Sequence, residues 1–387
     1  MNAWFVIGAG ALAAWIYLIL GRGFFWSMRE RDDRNQPPEP TVWPSVTAVV
    51  PARNEADVIA TSVTSLLTQD YPGALRLVLV DDNSEDATGE LAARTAAVIG
   101  ATRRIDVISG RPLAAGWTGK LWAVSQGVEH ASLDRPTYLW LTDADIAHEA
   151  GALRRLVARA EAGRLALVSL MARLQTGTLP ERMLIPAFVF FFDMLYPFAL
   201  VNDPRRRVAA AAGGCMLVRR EALEAAGGIA AIRAEIIDDC ALAGRLKAQG
   251  PIWLGVTRTS LSLRPYRTFG EIGRMVSRSA YAQLDYSPWL LGGTVLGMAL
   301  VYLAAPTVAV FADGWGARAL GAAAWAAMAA SFQPMLRYYR VSPLWGLALP
   351  LIGAIYVAFT VQSAIDVWRG RGGMWKGRAQ AQAAAHP

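Results

Sequence analysis

Hydrophobic and polar residues are unevenly distributed along this chain. Residues 22–287 show the mixed pattern of a globular sequence. Long apolar and almost uncharged runs occupy residues 3–20, 289–312, 316–336 and 344–367. About 20 consecutive apolar residues suffice for a helix to cross a bilayer. The pattern therefore predicts a globular domain held between membrane helices.

These runs define the expected domain organisation. The predicted segments are an N-terminal transmembrane anchor at 1–21, a globular domain at 22–287, a C-terminal transmembrane region at 288–368 and a basic tail at 369–387.

Basic residues near the first apolar run predict its orientation. No Lys or Arg precedes the run, whereas Arg22, Arg29, Arg31 and Arg34 follow it. A secretory signal peptide carries its positive charge before the apolar run, so an uncleaved anchor is favoured over a cleaved signal. The positive-inside rule then places residue 22 onward in the cytoplasm.

The orientation of the C-terminal end stays open. Arg337 and Arg340 favour a cytoplasmic loop between the last two runs. The basic tail would then lie outside, against the same rule, unless one run is re-entrant or interfacial.

A fifth apolar stretch at 183–201 is interrupted by Pro186, Asp193 and Pro197. These residues favour an amphipathic segment in the membrane interface. A spanning helix and a buried helix of the globular domain remain alternatives.

Within the globular part, short apolar runs alternate with helical patterns. The predicted strands cover residues 45–51, 75–80, 105–108 and 138–142, and the predicted helices cover 55–69 and 86–97. Alternating strands and helices predict an α/β fold with a mainly parallel central sheet.

Acidic residues follow two of these strands. Asp81 and Asp82 end the second strand, and Asp143 and Asp145 follow the fourth. Ligands of such sheets bind beyond the carboxyl ends of the strands. A single Asp there is often a turn or capping residue, but two such strands in one chain favour a binding site.

The residue types narrow the chemistry of this site. No strand is followed by the glycine-rich sequences of a dinucleotide fold or a P-loop. Carboxylates two residues apart favour Mg²⁺ or Mn²⁺ over zinc.

The net charge of +7 suits a membrane surface or phosphate-bearing substrates, and no nucleic-acid-binding motif is present. Cys215 and Cys240 form no disulfide framework, as expected in a reducing cytoplasm.

Six motifs occur in an order that resembles the family-2 inverting glycosyltransferases of the GT-A fold. They are VVPARNE (49–55), VDDNSEDAT (80–88), GWTGK (116–120), TDAD (142–145), GGCMLVRREAL (213–223) and DDCALAGRLK (238–247). The layout is most similar to the hopanoid-associated and carotenoid-type membrane enzymes. The resemblance implies a GT-A nucleotide-sugar-binding domain.

The resemblance also implies roles for the donor-binding residues. Pro51, Asn54, Glu55 and Asp82 correspond to the nucleobase pocket, where a carboxylate can accept the uracil N3–H. Lys120 corresponds to a residue near the ribose or phosphates, although a solvated loop lysine is the alternative.

Metal and acceptor residues follow from the same resemblance. Asp143 and Asp145 are similar to the family's D-x-D motif, with Asp145 the favoured metal ligand and Asp143 also near the donor. Gly213 and Gly214 resemble a small-residue turn near the acceptor, where a side chain would block close approach.

The last motif supplies the expected base. Asp238 and Asp239 match the family's acidic pair, and Asp239 aligns with the residue that deprotonates the acceptor hydroxyl. A helix N-cap is the alternative for this pair. Arg278 resembles the arginine that contacts the diphosphate, but the tryptophan that follows it in the family motif is missing.

The resulting hypothesis is an integral protein of a bacterial inner membrane with its catalytic domain in the cytoplasm. It would transfer a hexosyl or N-acetylhexosaminyl group, with inversion, from a nucleotide-diphosphate donor to a lipid such as a hopanoid or another polyprenoid. A UDP-sugar is the favoured donor. The alternatives are a processive polysaccharide synthase and a non-catalytic membrane scaffold.

Overall fold

A computed structural model describes residues 3–371 and the two short strands β9 (Met374–Trp375) and β10 (Arg378–Ala379), which pair antiparallel. The other residues of the predicted basic tail lie outside the described residues.

The described chain forms two compact units. The sheet unit comprises residues 30–175 and 200–265, and the apolar-helix unit comprises residues 3–29, 176–199 and 266–371. Residues 176–199 and 266–287 thus group with the apolar helices rather than with the sheet, unlike the predicted division at residue 287.

The sheet unit is built on eight strands in the order β3-β2-β1-β4-β7-β6-β8-β5. The strands are β1 (Val46–Ala52), β2 (Leu75–Asp81), β3 (Ile105–Ser109), β4 (Tyr138–Thr142), β5 (Ile146–His148), β6 (Leu167–Arg173), β7 (Cys215–Arg219) and β8 (Ile252–Ser262). β1 to β4 are mutually parallel, and β6 pairs parallel with β8. β7 runs antiparallel to both β4 and β6, and β5 runs antiparallel to β8. The predicted mainly parallel sheet is confirmed.

The central strands β1 and β4 have continuous apolar runs because helices cover the sheet and remove it from water. The side chains of β1 and β4 are entirely buried. The helices of this unit are α2 (Ile59–Leu67), α3 (Thr88–Val98), α4 (Gly119–Ala131), α5 (Ala152–Gly163), α8 (Arg220–Ala225) and α9 (Asp238–Lys247). The short helix α7 (Phe198–Asn202) contains the boundary between the units.

The apolar-helix unit consists of long helices. They are α1 (Ala3–Gly21), α6 (Leu179–Leu195), α10 (Phe269–Ala280), α11 (Pro288–Met298), α12 (Ala304–Phe311), α13 (Trp315–Tyr339) and α14 (Leu349–Trp368). Among the described residues, three helical segments are long and apolar enough to cross a membrane, namely Ala3–Gly21, Pro288–Phe311 and Leu349–Trp368.

The second of these segments contains a π-helical turn at Ala299–Leu303 between α11 and α12. Pro306 explains this irregularity, because proline lacks the N–H for the helical hydrogen bond and its ring clashes with the carbonyl four residues earlier.

The apolar run at 316–336 forms α13 but does not meet the criteria of a spanning helix, unlike the sequence-based expectation. Its composition explains the difference, because the run consists mainly of alanine and also contains Arg318 and Gln333. Ala324, Phe332 and Leu336 are buried within the unit.

The stretch at 183–201 also proves to be largely buried. It forms most of α6, in which Leu184, Ile185 and Phe190 have almost no exposed surface. The helix belongs to the apolar-helix unit and not to the globular domain, and its placement in the membrane interface stays a prediction.

Candidate active site

The two aspartates at the end of β2 have different environments. The carboxylate of Asp81 accepts hydrogen bonds from the backbone N–H groups of Ser84 (2.9 Å) and Gly89 (3.2 Å), and so holds the loop that leads into α3. Asp82 is completely buried, and its carboxylate lies 4.0 Å from the guanidinium of Arg53. Asp81 thus has a local structural role, whereas the binding role of Asp82 stays a prediction.

The loop after β1 is fixed against the loop after β2. Asn54 adopts a left-handed backbone conformation (φ 51°), donates its N–H to Ser84 Oγ (3.0 Å) and accepts the N–H of Glu85 at Oδ1 (2.9 Å). The N–H of Glu55 donates to Thr88 Oγ1 (2.9 Å), and the Glu55 side chain is buried. The two loops therefore form one structure, as expected for a binding pocket at the carboxyl edge of the sheet.

Lys120 joins two of the acidic motifs. It is the second residue of α4, whose N-cap Thr118 accepts the N–H of Leu121. The Lys120 ammonium lies 3.0 Å from Asp143 Oδ1 and 3.2 Å from Asp238 Oδ2. Burial lowers the pKa of Lys120, but the neighbouring carboxylates outweigh this effect and raise the pKa above its ordinary value. Lys120 is therefore a permanently charged part of the cluster and not a solvated loop lysine.

The carboxylates of the TDAD motif have cationic partners. Asp143 contacts Lys120, and Asp145 Oδ2 accepts from Arg264 Nε at 3.1 Å. Arg264 Nη2 also donates to Glu55, and so it connects the loop after β1 with the loop after β4. Burial raises the pKa of Asp143, and Asp145 and Asp238 add to the rise while Lys120 opposes it.

Asp238 and Asp239 are the first two residues of α9, and Ile237 occupies the N-cap position. Neither aspartate is the N-cap residue itself, but both lie in the first turn of α9, where their charges interact favourably with the helix dipole. Asp239 Oδ2 accepts the N–H of Gly213 (3.0 Å), and Oδ1 accepts the N–H of Cys240 (2.8 Å). Burial and the charge of Asp238 raise the pKa of Asp239 to about 6.

The glycine pair fits closely beside these residues. A Cβ atom on Gly213 would lie 3.3 Å from Lys120 Nζ and 3.6 Å from Asp239 Oδ2. The carbonyl of Gly214 accepts the hydroxyl of Thr142 at 2.8 Å. Any larger residue at 213 would crowd the charged cluster, so the predicted small-residue turn does lie at the cluster.

A small cavity adjoins the same cluster. It measures about 20 Å³, roughly the space of one water molecule. Its lining includes Pro51, Lys120, Asp143, Gly213 and Asp238. Five of the six motifs therefore converge on one position.

A buried histidine that the sequence analysis did not select supports this position. His148 Nδ1 lies 2.9 Å from Ser260 Oγ, and Nε2 lies 3.0 Å from Thr142 Oγ1. Burial lowers its pKa to about 3, so the ring is neutral. Because Thr142 donates to Gly214, a consistent assignment has His148 donating from Nε2 and accepting from Ser260 at Nδ1.

Two arginines were also missed by the sequence analysis. Arg53 donates to the backbone carbonyls of Asp82 and Asn83, and Arg264 pairs with Glu55 and Asp145. Arg53 lies inside the VVPARNE motif and could have been selected there. Arg264 lies outside every motif, just beyond the end of β8, a strand that the sequence analysis did not predict, so no local signal pointed to it.

Arg278 lies on α10 in the apolar-helix unit, whereas all the other predicted site residues lie in the sheet unit. Its role stays a prediction.

The donor set for a metal ion is small. Among the described residues, no group of three or more His, Cys, Asp or Glu side chains could hold an ion. Mg²⁺, however, is commonly bound by one or two carboxylates together with substrate phosphates. Asp143 and Asp145 therefore fit an ion that arrives with a diphosphate, in competition with Lys120 and Arg264.

The described fold is a GT-A-like α/β fold with a mostly parallel central sheet. Residues 47–227, just under half of the chain, match the model of the family described as glycosyl transferase family 2. This range contains the predicted site residues from Pro51 to Gly214, whereas Asp238 and Asp239 lie beyond it.

One solved structure shows the same fold over a greater length. The mannosyltransferase PcManGT from Pyrobaculum calidifontis, in complex with GDP-Man and Mn²⁺, is 19% identical, and the alignment covers 93% of this chain and 99% of that one with a TM-score of 0.55. Glucosyl-3-phosphoglycerate synthase from Mycobacterium tuberculosis, in complex with Mg²⁺ and UDP, is 18% identical over 62% of this chain and 79% of that one, with a TM-score of 0.42. At these identities the first likeness shows the fold alone, and the second adds no further conclusion. A comparison with curated proteins found no match.

Proposed function

We propose that this chain is a membrane glycosyltransferase that moves a hexosyl or N-acetylhexosaminyl group from a nucleotide-diphosphate donor to a lipid acceptor, with inversion. The observation that carries the proposal is the position of Lys120, whose ammonium lies within 3.2 Å of carboxylates from both the TDAD and the DDCALAGRLK motifs. A lysine between two acidic motifs at the edge of a GT-A-like sheet suits the binding and reaction of a diphosphate.

The donor would bind along the carboxyl ends of β1, β2 and β4. The loop from Pro51 through Asn54 to Glu55 would enclose the base. Asp82 is completely buried in the described structure, so this loop would have to move before the carboxylate could accept the uracil N3–H. Lys120 would turn from Asp143 toward the phosphates, where its charge stabilises the leaving diphosphate. A UDP-sugar is the preferred donor on this basis.

Asp143 and Asp145 would hold Mg²⁺ or Mn²⁺ together with the donor's diphosphate. The ion would supply positive charge that neutralises the leaving group. Arg264 now occupies Asp145 Oδ2 at 3.1 Å, so it must release this oxygen when an ion binds there.

Asp239 would act as the base. Each of its oxygens accepts one backbone N–H, and each retains a lone pair for the acceptor hydroxyl. Its raised pKa of about 6 is close to the pH at which a base both remains ionised and accepts a proton readily. The hydroxyl proton would move to Asp239 as the acceptor oxygen attacks the anomeric carbon from the face opposite the diphosphate.

The acceptor would be an apolar alcohol. The described part of the chain contains three helical segments that are long and apolar enough to cross a membrane. A transferase held at a membrane in this way suits an acceptor that is itself in the membrane. Gly213 and Gly214 would admit the hydroxyl close to Asp239, and Arg278 would contact the diphosphate. Hopanoid or another polyprenoid lipid follows from the family resemblance.

The proposed location is a bacterial inner membrane with the sheet unit in the cytoplasm, where nucleotide sugars are made. A reporter fused near residue 40 should be active in its cytoplasmic form. Activity of a periplasmic reporter at the same position would contradict this topology and, with it, the supply of donor.

Lipid labelling tests the activity. Membranes containing the protein are incubated with a panel of radiolabelled nucleotide sugars, and label is counted in the lipid extract, the polymer fraction and the aqueous phase. One donor should label the lipid extract, and excess EDTA or the substitution Asp145→Ala should abolish the signal. Label in polymer would favour a processive synthase, and no label from any donor would contradict the proposal.

A further inference from the structure

The apolar-helix unit contains a groove that is lined by none of the candidate active-site residues. The groove has a volume of about 630 Å³ and lies between the start of α6 and the loop that joins α13 to α14. Its lining residues are Thr176, Leu179, Arg182, Arg340, Val341, Ser342, Leu344, Trp345 and Ala348. The groove is large enough for part of a lipid and far larger than an inorganic anion needs.

Two guanidinium groups at this groove lack an acidic partner among the described residues. Arg182 donates to the backbone carbonyls of Thr176 (3.3 Å) and Gly177 (3.0 Å), which fix its side chain without neutralising the charge. Arg340, in a left-handed conformation (φ 57°) after the end of α13, belongs to no ion pair among the described side chains. The groove therefore carries uncompensated positive charge.

The nearest acidic residue in the sequence does not supply this compensation. Glu181 is buried, and its Oε2 accepts the N–H groups of Gly177 (2.8 Å) and Thr178 (2.9 Å). Its Oε1 accepts the N–H of Tyr266 (2.6 Å). The carboxylate is thus committed to capping α6 and is directed away from solvent.

Apolar side chains lie beside the two cations. Leu179 is 61% exposed and Leu344 is 70% exposed, and Trp345 contributes an indole to the lining. Leu347 and Leu351, which follow in the chain at the start of the apolar helix α14, are also more than half exposed. A soluble anion would contact only the two guanidinium groups, whereas a lipid would contact both the guanidinium groups and the apolar side chains.

We propose that this groove binds the phosphate headgroup of an anionic phospholipid, with Arg182 and Arg340 on the phosphate and Leu179, Leu344 and Trp345 against the upper acyl chain. Guanidinium groups suit phosphate because they donate paired, charge-assisted hydrogen bonds. Basic pockets beside membrane helices are a recurrent binding site for the headgroups of anionic lipids. This proposal does not depend on the proposed transferase activity.

Native mass spectrometry of the full-length protein in detergent tests the site, with phosphatidylglycerol and phosphatidylcholine as probes. The wild-type protein should retain one phosphatidylglycerol in clear preference to phosphatidylcholine. Each arginine is worth about fivefold in affinity, so Arg340→Gln should weaken retention about fivefold and the double variant Arg182→Gln/Arg340→Gln about 25-fold. The matched control is Arg103→Gln/Arg104→Gln, two exposed arginines of the sheet unit, which should retain the lipid as the wild type does.

Two further arms separate a lipid from a free anion. Leu344→Gln should weaken phosphatidylglycerol retention, and inorganic phosphate at the lipid's concentration should not displace the lipid. Equal retention of the two lipids, unchanged retention in Arg340→Gln, or full displacement by phosphate would each overturn the proposal. Arg340→Gln alone keeps the test decisive if the double variant does not fold, because the Arg340 side chain makes no described contact that folding requires.

Discussion

The two units treat charged side chains differently. In the sheet unit, Lys120 is 20% exposed and lies against Asp143 and Asp238, and Arg264 bridges Glu55 and Asp145. In the apolar-helix unit, Arg182 and Arg340 face a groove without an acidic partner among the described residues.

This difference has a physical reason. Charges that are removed from water require partners, because an unpaired buried charge is strongly unfavourable. Exposed arginines need no partner in the protein and can interact with ligands or lipid phosphates instead. The sheet unit therefore contains its own counter-charges, ready to be exchanged for a substrate, whereas the apolar-helix unit leaves its charges for the surroundings.

The largest expected effect concerns the buried charges. Asp239→Asn should lower turnover by about 10²- to 10⁴-fold, the usual contribution of general-base catalysis. Donor affinity should change little, because the base acts on the acceptor. The measurement is the turnover of folded, membrane-inserted protein with donor binding determined in parallel.

Asp238→Asn is the matched control, since it removes the same charge beside Lys120 while the hydrogen bonds of Asp239 remain. A smaller loss is expected there. Asp239→Asn also replaces one of two acceptor oxygens by a donor, so its free energy of unfolding should fall by about 1–3 kcal/mol. Near-wild-type turnover of Asp239→Asn would remove this residue as the base.

The second prediction compares tryptophans of the two units. Trp140 is fully buried on β4, where it packs on His148 at 4.5 Å, whereas Trp289 on α11 is 89% exposed. Trp140→Ala should lower the free energy of unfolding of the sheet unit by about 3–5 kcal/mol. Trp289→Ala should change it by less than about 0.5 kcal/mol.

Thermal unfolding in detergent measures both variants. Equal losses would mean that the exposed face of α11 is packed in solution, and the comparison between the units would fail.

The third prediction uses pH to separate the two members of the acidic pair. The base must be deprotonated, so kcat/KM should fall tenfold per pH unit below the pKa of Asp239, which is about 6, and level off above it. The charge of Asp238 helps to raise this pKa. Asp238→Asn should therefore move the acid limb of the profile to lower pH, and an unmoved limb would show that another group titrates.

The sequence predicted the strands β1 to β4 well for a physical reason. Buried parallel strands read as unbroken apolar runs, such as SVTAVVP and YLWLT. β8 was not predicted, because Arg258, Thr257 and Thr259 interrupt its apolar pattern in a strand that is only partly buried. α13 was taken as a membrane span because it is uncharged over most of its length, but alanine contributes little hydrophobicity.

The sequence predicted those residues of the candidate site that are acidic and also follow a strand or begin a helix. Asp82, Asp143 and Asp239 stand at a strand end or a helix start, and the structure brings Lys120 to two of the motifs. Arg264 could not be found, because its partners Glu55 and Asp145 are distant in the sequence and no local pattern records the contact.

The smallest effect is expected from a substitution of Arg264. It tests whether a cation that pairs with the carboxylates of the sheet unit can be replaced by a metal ion. Arg264→Gln removes the cation that shares Asp145 Oδ2 with the proposed metal ion. Its side chain is 32% exposed, so solvent weakens the effect, and Mn²⁺ affinity should rise by only about three- to tenfold. Titration of Mn²⁺ followed by electron paramagnetic resonance, with and without UDP, measures this affinity without turnover.

Two variants serve as controls. Arg264→Lys keeps the charge and should bind Mn²⁺ as the wild type does, and Arg340→Gln should have no effect. Weaker Mn²⁺ binding in Arg264→Gln would instead mean that Arg264 holds Asp145 and Glu55 in place for the ion, and that the counter-charges of the sheet unit are structural.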